Sequence, residues 1–350
     1  MVGADKAAGH IAVMRDSIPD LGLYAFLKQA GIVESKVFRL TSGRNSRVWR
    51  VESANGPCIV KEYYRDPGDP RDRLKTEFGF LSFLHSHGIT CVPRPLVIQQ
   101  EAGRALYSHL SGTAVDQISD DHIRQAADFI LQVNRFRESE SASRLPMASD
   151  ACFSIREHLQ RANDRLNRIE SAVVNADTPV VSEAHDFVAG CLRPAMAQLE
   201  KRLIKQFSGS RMDFILPELE RILSPSDFGF HNMLVSDNGR LSFLDFEYAG
   251  WDDPAKLICD FSCQPERPVS RIQSSKFSIR FVDNCFGNDC LARATALILV
   301  CRIKWCCILL NEFRAQDIER RKHAGHDRPD LLVTQLNKAR NYFNQHLGDM

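Results

Sequence analysis

The sequence predicts an α+β fold in which a small antiparallel sheet with one helix precedes a larger, mainly helical unit. Three observations point there. Strand-like runs crowd together between residues 35 and 64, joined by turns too short for a crossover helix. No stretch alternates strand and helix as a parallel sheet requires. Beyond residue 117 the apolar spacing is mostly helical, over 118–207 and again over 255–350.

The elements follow in order. Residues 1–18 form a loose lead-in. DLGLYAFLKQAGI (20–32) has apolar positions at helical spacing and stops at Gly31, so 1–32 is an N-terminal extension with a helix. SKVFRLT (35–41), SRVWRVES (46–53) and PCIVKEYY (57–64) are three strands joined by SGRN (42–45) and ANG (54–56), an antiparallel meander. DPRDRLKTEFGFLSFLHSHGI (69–89) is a helix ending at Gly88. PRPLVIQQEAGRALYSHLSG (93–112) is a hairpin turning at 101–103 and ending at Ser111–Gly112. The break there divides a first unit, 33–111, from a second, 112–350. The second begins with a helical insert (about 118–207, looped near 141–150), continues through short strands over 213–246, and ends in helices.

The 350 residues, 44% hydrophobic and 25% charged, suffice for a full core. Lys plus Arg (45) balance Asp plus Glu (44), which argues against a nucleic-acid partner. The N-terminal residues lack the apolar core of a secretory signal. The most apolar window, LARATALILVCRIKWCCILL (291–310), is interrupted by Arg293, Arg302 and Lys304, and is expected as a buried helix with no membrane partner. Eleven cysteines with no CxxC pair fit reduced thiols in a cytoplasmic protein. No GxxxxGK[ST] phosphate loop is present.

Two charges stand out. In the helix after the meander, Leu74, Phe78, Leu81 and Leu84 fall on one face, and Glu77 lies on that same face. A carboxylate turned to the core needs a cation. Lys61, in the strand CIVKEYY, is the nearest in chain order. Alone, each is as well explained as an ordinary surface charge. Together they match the lysine–glutamate pair by which kinase-like folds hold nucleotide phosphates.

A second group lies in SPSDFGFHNML (224–234) and LSFLDFEYAG (241–250). Asp227 and Asn232 stand five positions apart, and Asp245 follows. As isolated turns they could be satisfied by their own backbone. In this order, with Lys61 and Glu77 upstream, they resemble the aminoglycoside phosphotransferase and choline kinase family, which shares a protein-kinase-like two-lobed fold. The resemblance covers roughly 33–315. It implies an ATP-dependent phosphotransferase acting on a hydroxyl of a small molecule, with ATP and Mg²⁺ as cofactors. It places Asp227 as the base and Asn232 and Asp245 as oxygen ligands for the metal. Ser42, Gly43 and Asn45 would cover the nucleotide, Lys61 and Glu77 hold its phosphates, and Ser108 and Leu110 lie at the hinge ALYSHLSG. Phe228 and Phe230 would pack the catalytic loop onto the larger lobe.

The chain departs from the family at two places. Pro225–Ser226 precede Asp227 where His-Gly is usual, and Leu257 stands where a loop-steadying aspartate is frequent, with Asp260 nearby. The family's acceptors include aminoglycosides, amino alcohols such as choline or ethanolamine, amino acids such as homoserine, and sugars. Glu247, Trp251, Asp252 and Trp305 are candidates for the acceptor pocket, with Asn311 and Glu312. Carboxylates and tryptophans suit a cationic amine; neutral and anionic hydroxyl compounds stay open. A catalytically silent nucleotide-binding regulator is the alternative, against which stands the presence of Lys61, Asp227, Asn232 and Asp245 together. A protein kinase is disfavoured, because DFEYAGWDDP runs directly into helix with no activation loop.

Overall fold

The computed structural model describes residues 13–14, 19–33, 35–40, 45–66, 68–175, 177–207, 211–285, 288–326 and 328–349. Strand β1 (Val13–Met14) is followed by helix α1 (Leu21–Gln29) and then by the meander β2 (Lys36–Leu40), β3 (Ser46–Ser53) and β4 (Gly56–Tyr63). Helix α2 (Arg73–Ser86) precedes the hairpin β5 (Pro95–Gln99) and β6 (Arg104–Ser108). Among the described residues these strands form one antiparallel sheet in the order β1-β2-β3-β4-β6-β5. The hairpin therefore enters through its second strand, which pairs with β4 and sets Ala105 opposite Lys61.

Both faces of this sheet are covered. On one, Leu23, Phe26 and Leu27 of α1 pack on Trp49, Val51, Val60 and Leu106. Asp20 caps α1, accepting from the Leu23 amide (2.6 Å), and pairs with Arg104 of β6 (2.7 Å). On the other lies α2, capped by Asp72. Its buried side is wider than the expected stripe, because Phe80 and Phe83 are buried as well, while Phe78 is half-buried. Phe80 stacks on Phe246 at 5.6 Å, so the helix serves the second lobe as well as its own sheet.

The second lobe opens with β7 (Thr113–Ala114), α3 (Asp120–Asn134), the short α4 (Glu140–Ser143) and the long α5 (Ile155–Val173). Helix α6 (Pro179–Phe187) runs through a π turn into α7 (Arg193–Gln206). Short strands follow: β8 (Ile222–Ser224), β9 (Met233–Val235), β10 (Leu241–Phe243) and β11 (Gly250–Asp252). The chain ends in α8 (Pro254–Cys263), α9 (Arg271–Cys285), α10 (Asn288–Leu309), α11 (Ala315–Ala324) and α12 (Leu331–Leu347). Helix α10, which contains the apolar window, packs against α8, α5 and α12 at the centre of the lobe. No helix among the described residues is long and apolar enough to cross a membrane.

Strand β11 holds the loop that follows α4. The Trp251 amide donates to Pro146 O (2.9 Å) and the Ala148 amide to Trp251 O (2.9 Å). The approach is so close that a Cβ on Gly250 would lie 2.2 Å from Pro146 O, so only glycine fits. This junction fixes residues 146–150 along one wall of the interlobe cleft.

Candidate active site

The cleft is ≈ 1150 Å³, lined by both lobes, and Asp227, Asn232 and Asp245 open onto it. Pockets for a single small ligand span about 300–1,000 Å³, and this cleft lies just above that range. The position of Lys61 at its back follows from sheet register. Lys61 lies on β4 opposite Val48 and Ala105 and reaches out of the sheet toward α2. Its ammonium donates to Glu77 (2.6 Å) and to Asp245 (2.9 Å). Glu77 is buried and fully engaged. It also accepts from the Tyr63 hydroxyl (2.6 Å) and from the Phe246 amide (3.3 Å). Burial works against the Lys61 ammonium, but the charges of Asp245, Glu77 and Glu247 outweigh it and hold its pKa well above the ordinary range.

Asp227 sits on a loop anchored from below. Asn134 of α3 exchanges two hydrogen bonds with the Leu223 backbone (2.8 and 2.9 Å), fixing β8 just ahead of the loop. Phe228 stacks with Phe129, Phe243 and Phe261 at 6.2, 6.0 and 5.8 Å, and Phe230 also meets Phe261. These rings are the reason for bulky residues in a turn. The Asp227 carboxylate keeps 31% of its surface open, with His231 Nε2 3.2 Å away. Burial pushes the Asp227 pKa up, but the His231 charge and hydrogen bond bring it below the ordinary carboxylate range. Burial likewise opposes the His231 cation, and Asp227 reverses the balance, raising its pKa. Asn232 donates to Asp227 O (3.0 Å), and its amide oxygen has no protein partner among the described residues.

Asp245 follows β10 at φ 65°, a left-handed conformation uncommon outside glycine. Ser226, directly before Asp227, is at φ 67°. Strained backbone of this kind concentrates where geometry serves function. Carboxylate oxygens of Glu77, Asp245 and Glu247 lie within 4.8 Å of one another. Burial, then the nearby Asp245, raises the Glu247 pKa. Hard oxygen donors of this type suit Mg²⁺.

The remaining expected residues divide. Asn45 reaches across to Glu247 (2.7 Å) and Tyr248 (2.9 Å) and accepts from Arg321 (3.1 Å). Ser42 and Gly43 lie outside the described residues. Ser108 is at the end of β6, its hydroxyl accepting from the Arg94 amide (2.8 Å), and Leu110 is half-buried just beyond. Trp305 and Asn311 line the cleft. Glu247, Trp251 and Asp252, expected at an acceptor pocket, are not among the residues that line this cleft. Glu247 is buried beside Asp245, Trp251 donates its indole N–H to Ala142 O (3.1 Å), and Asp252 is fully buried against Lys256 (2.7 Å). Glu312 is likewise buried, paired with Arg321 (2.8 Å). A strand end next to helix-capping Asp253 faces inward here, which residue type alone does not reveal.

Two residues were not anticipated. His231 stands four positions after Asp227, and that spacing was its signal. Lys256 is buried between Asp252 (2.7 Å), Asp260 (3.0 Å) and the Ser226 hydroxyl (2.9 Å), and Lys304 closes the chain on Asp260 (2.6 Å). The departures from the family thus meet: a serine before Asp227 is gripped by the lysine adjoining Leu257.

A sheet-and-helix lobe facing a helical lobe, with a lysine–glutamate pair at the cleft and an Asp-x4-Asn loop opposite, is the protein-kinase-like architecture of small-molecule kinases. The sequence profile of the phosphotransferase enzyme family (APH) matches residues 36–261, and the chain belongs to that family. No curated protein sequence matches the chain significantly. Solved structures share the fold. Spectinomycin phosphotransferase APH(9)-Ia bound to AMP is 15% identical, covering 92% of this chain and 99% of its own, at a TM-score of 0.58. Macrolide 2'-phosphotransferase MphH from Brachybacterium faecium is 14% identical (87% and 97%, TM-score 0.57). Choline kinase LicA from Streptococcus pneumoniae is 14% identical (93% and 98%, TM-score 0.55).

Proposed function

We propose that this phosphotransferase moves the γ-phosphate of ATP to a hydroxyl of a small molecule, in a cleft between lobes dividing near Ser111–Gly112. The observation that carries this is that Asp227, Asn232 and Asp245 open onto one cleft and that Lys61, paired with Glu77, bonds to Asp245 from behind it. Lys61 would bind the α- and β-phosphates, kept charged and aimed by Glu77. The turn with Ser42, Gly43 and Asn45 would cover the phosphates, and the hinge at Ser108 and Leu110 would border the base. Asp227 would orient the acceptor hydroxyl and take its proton; a carboxylate of lowered pKa is ionised and ready for that at neutral pH. Asn232 and Asp245 would hold Mg²⁺, with Glu247 behind them. The metal supplies charge neutralisation at the phosphate oxygens.

The test is transfer of label from γ-phosphate-labelled ATP into a deproteinised metabolite extract. Wild type should yield a labelled small molecule. Asp227→Ala should lower transfer about 100-fold or more while keeping nucleotide binding. Asp245→Ala should weaken Mg²⁺-dependent nucleotide binding. Nucleotide binding without transfer from any extract would instead favour a silent regulator, and full turnover by Asp227→Ala would remove Asp227 as the base.

A further inference from the structure

Helix α5 turns a face of arginines to the cleft. Arg161, Arg165 and Arg168 are spaced by four and three residues, which places them on one side of the helix. The opposite side, Leu159, Ala162, Leu166 and Ile169, is core. Arg71 comes to the same cleft from the loop ahead of α2, and Arg314 from the segment ahead of α11. Guanidinium groups from three separate elements therefore converge.

The carboxylates on these walls are already held. Asp150 is paired with Arg165 and lies 4.0 Å from Arg161. Asp69 takes Arg71 (2.7 Å) and Arg73 (2.5 Å). Asp317 takes Arg314 (2.8 Å) and Arg320. Asp164, one turn before Arg168, accepts from Gln160 (2.8 Å). Arg168 has no ion pair or hydrogen bond among the described residues. Arg168 is thus left beside these arginines without a carboxylate of its own: burial and then Arg168 and Arg71 lower the Arg165 pKa to about 10, and burial and then Arg314 lower that of Arg168, against a smaller opposing pull from Asp164. Asp150, which positions Arg165, adopts φ 60°, so backbone strain supports the cluster too. A fold does not gather like charges at an open cleft for its own stability. Planar guanidinium forks match phosphate and carboxylate oxygens.

We propose that the acceptor is an anion, a small hydroxyl compound that also bears a phosphate or carboxylate group held by Arg165 and Arg168, with Arg71 and Arg314 facing it. This rests on the phosphotransfer reading above and assigns its substrate class. It also reverses the expectation of a cationic amine, for which the acidic residues would have to be free.

The experiment has two arms. In the first, inorganic phosphate and, separately, malonate are titrated into the full chain saturated with Mg²⁺ and a non-hydrolysable ATP analogue, which fills the γ-phosphate position and keeps the probes from the nucleotide site. At least one anion should bind, the pair of probes separating phosphate from carboxylate recognition. Arg168→Gln, an exposed substitution that leaves the core intact, should weaken binding about tenfold, and Arg161→Gln with Arg168→Gln further. Absence of binding by both anions, or equal binding by wild type and variants, overturns the proposal. In the second arm, the metabolite extract is split on an anion-exchange resin before the transfer assay. Acceptor activity should be in the retained fraction; activity in the flow-through overturns the anionic class and leaves phosphotransfer standing. Transfer from neither fraction speaks against the phosphotransfer reading, while the anion titration still decides the role of the arginines.

Discussion

Lys256→Met is the substitution with the most calculable consequence. Lys256 is 4% exposed and its ammonium serves Asp252, Asp260 and Ser226 at once. The loss falls unevenly. Asp260 retains Lys304 at 2.6 Å, whereas Asp252, fully buried, retains only the Asp253 amide at 3.0 Å. Breaking one side of a buried ion pair destabilises by about 3–5 kcal/mol. Protonation sets a ceiling: neutralising a carboxyl of ordinary pKa at pH 7 costs roughly 4 kcal/mol, about 1.4 kcal/mol per pH unit. The variant should therefore be about 3–4 kcal/mol less stable at pH 7. The pH dependence has a definite sign. Burial already raises the Asp252 pKa even with Lys256 present, and its removal raises it further. A group with a raised folded pKa contributes most below its unfolded value and loses that contribution as pH rises. The gap between variant and wild type should thus narrow by about 1.4 kcal/mol per unit as pH falls from 7 toward 5. Urea unfolding followed by circular dichroism at both pH values measures it. A gap under about 1 kcal/mol at pH 7, or one that does not narrow, would refute the reasoning. Adding Asp252→Asn to the variant should recover much of the loss.

Two further substitutions test the loop and the cleft wall. His231→Gln removes the charge that lowers the Asp227 pKa, so the acid limb of the kcat/KM profile should move to higher pH; an unmoved limb would show that His231 does not tune Asp227. The same histidine stabilises the wild type below its ordinary pKa of about 6.5, and that contribution should fade as pH rises through its raised folded value, a fade absent in the variant. Gly250→Ala places a Cβ 2.2 Å from Pro146 O, a backbone atom that cannot move alone, and should destabilise by about 3 kcal/mol in the same urea assay.

Much of the fold was legible because its signals are local. The meander is written in alternation and short turns, and each strand lies within a residue or two of its expected bounds. The pairing of Lys61 with Glu77 could be inferred because a carboxylate on an apolar helix face demands a cation, and few cations were close in sequence. The acceptor wall was illegible for the opposite reason. Residue type suggested that Trp251 and Asp252 would face a ligand, but orientation there is set by how β11 pairs with β8 and with the 146–148 backbone, contacts far apart in sequence. The arginines of α5 were hidden in a chain with net charge +1, because overall balance says nothing of where charges gather.

The two departures from the family pattern gain a common explanation from the same long-range contacts. A serine at φ 67° before Asp227 lacks the conformational ease of glycine, at a cost of about 1 kcal/mol. It gains a hydroxyl, which donates to Ser149 O (3.1 Å) and accepts from Lys256 (2.9 Å). Leu257 removes a carboxylate from the helix that follows, yet Asp252 and Asp260, one turn to either side of Lys256, supply two through the lysine. Ser149 adjoins Asp150, which holds Arg165. The hydroxyl of Ser226 thereby joins the loop bearing Asp227 to the wall bearing the arginines, so Asp227, the proposed base, and the proposed anion site are positioned by one hydrogen-bonded unit. Ser226→Gly, restoring the family residue, should relieve the backbone yet loosen that junction. Its effect should appear in the acceptor KM before it appears in nucleotide affinity; the reverse order would separate the two sites.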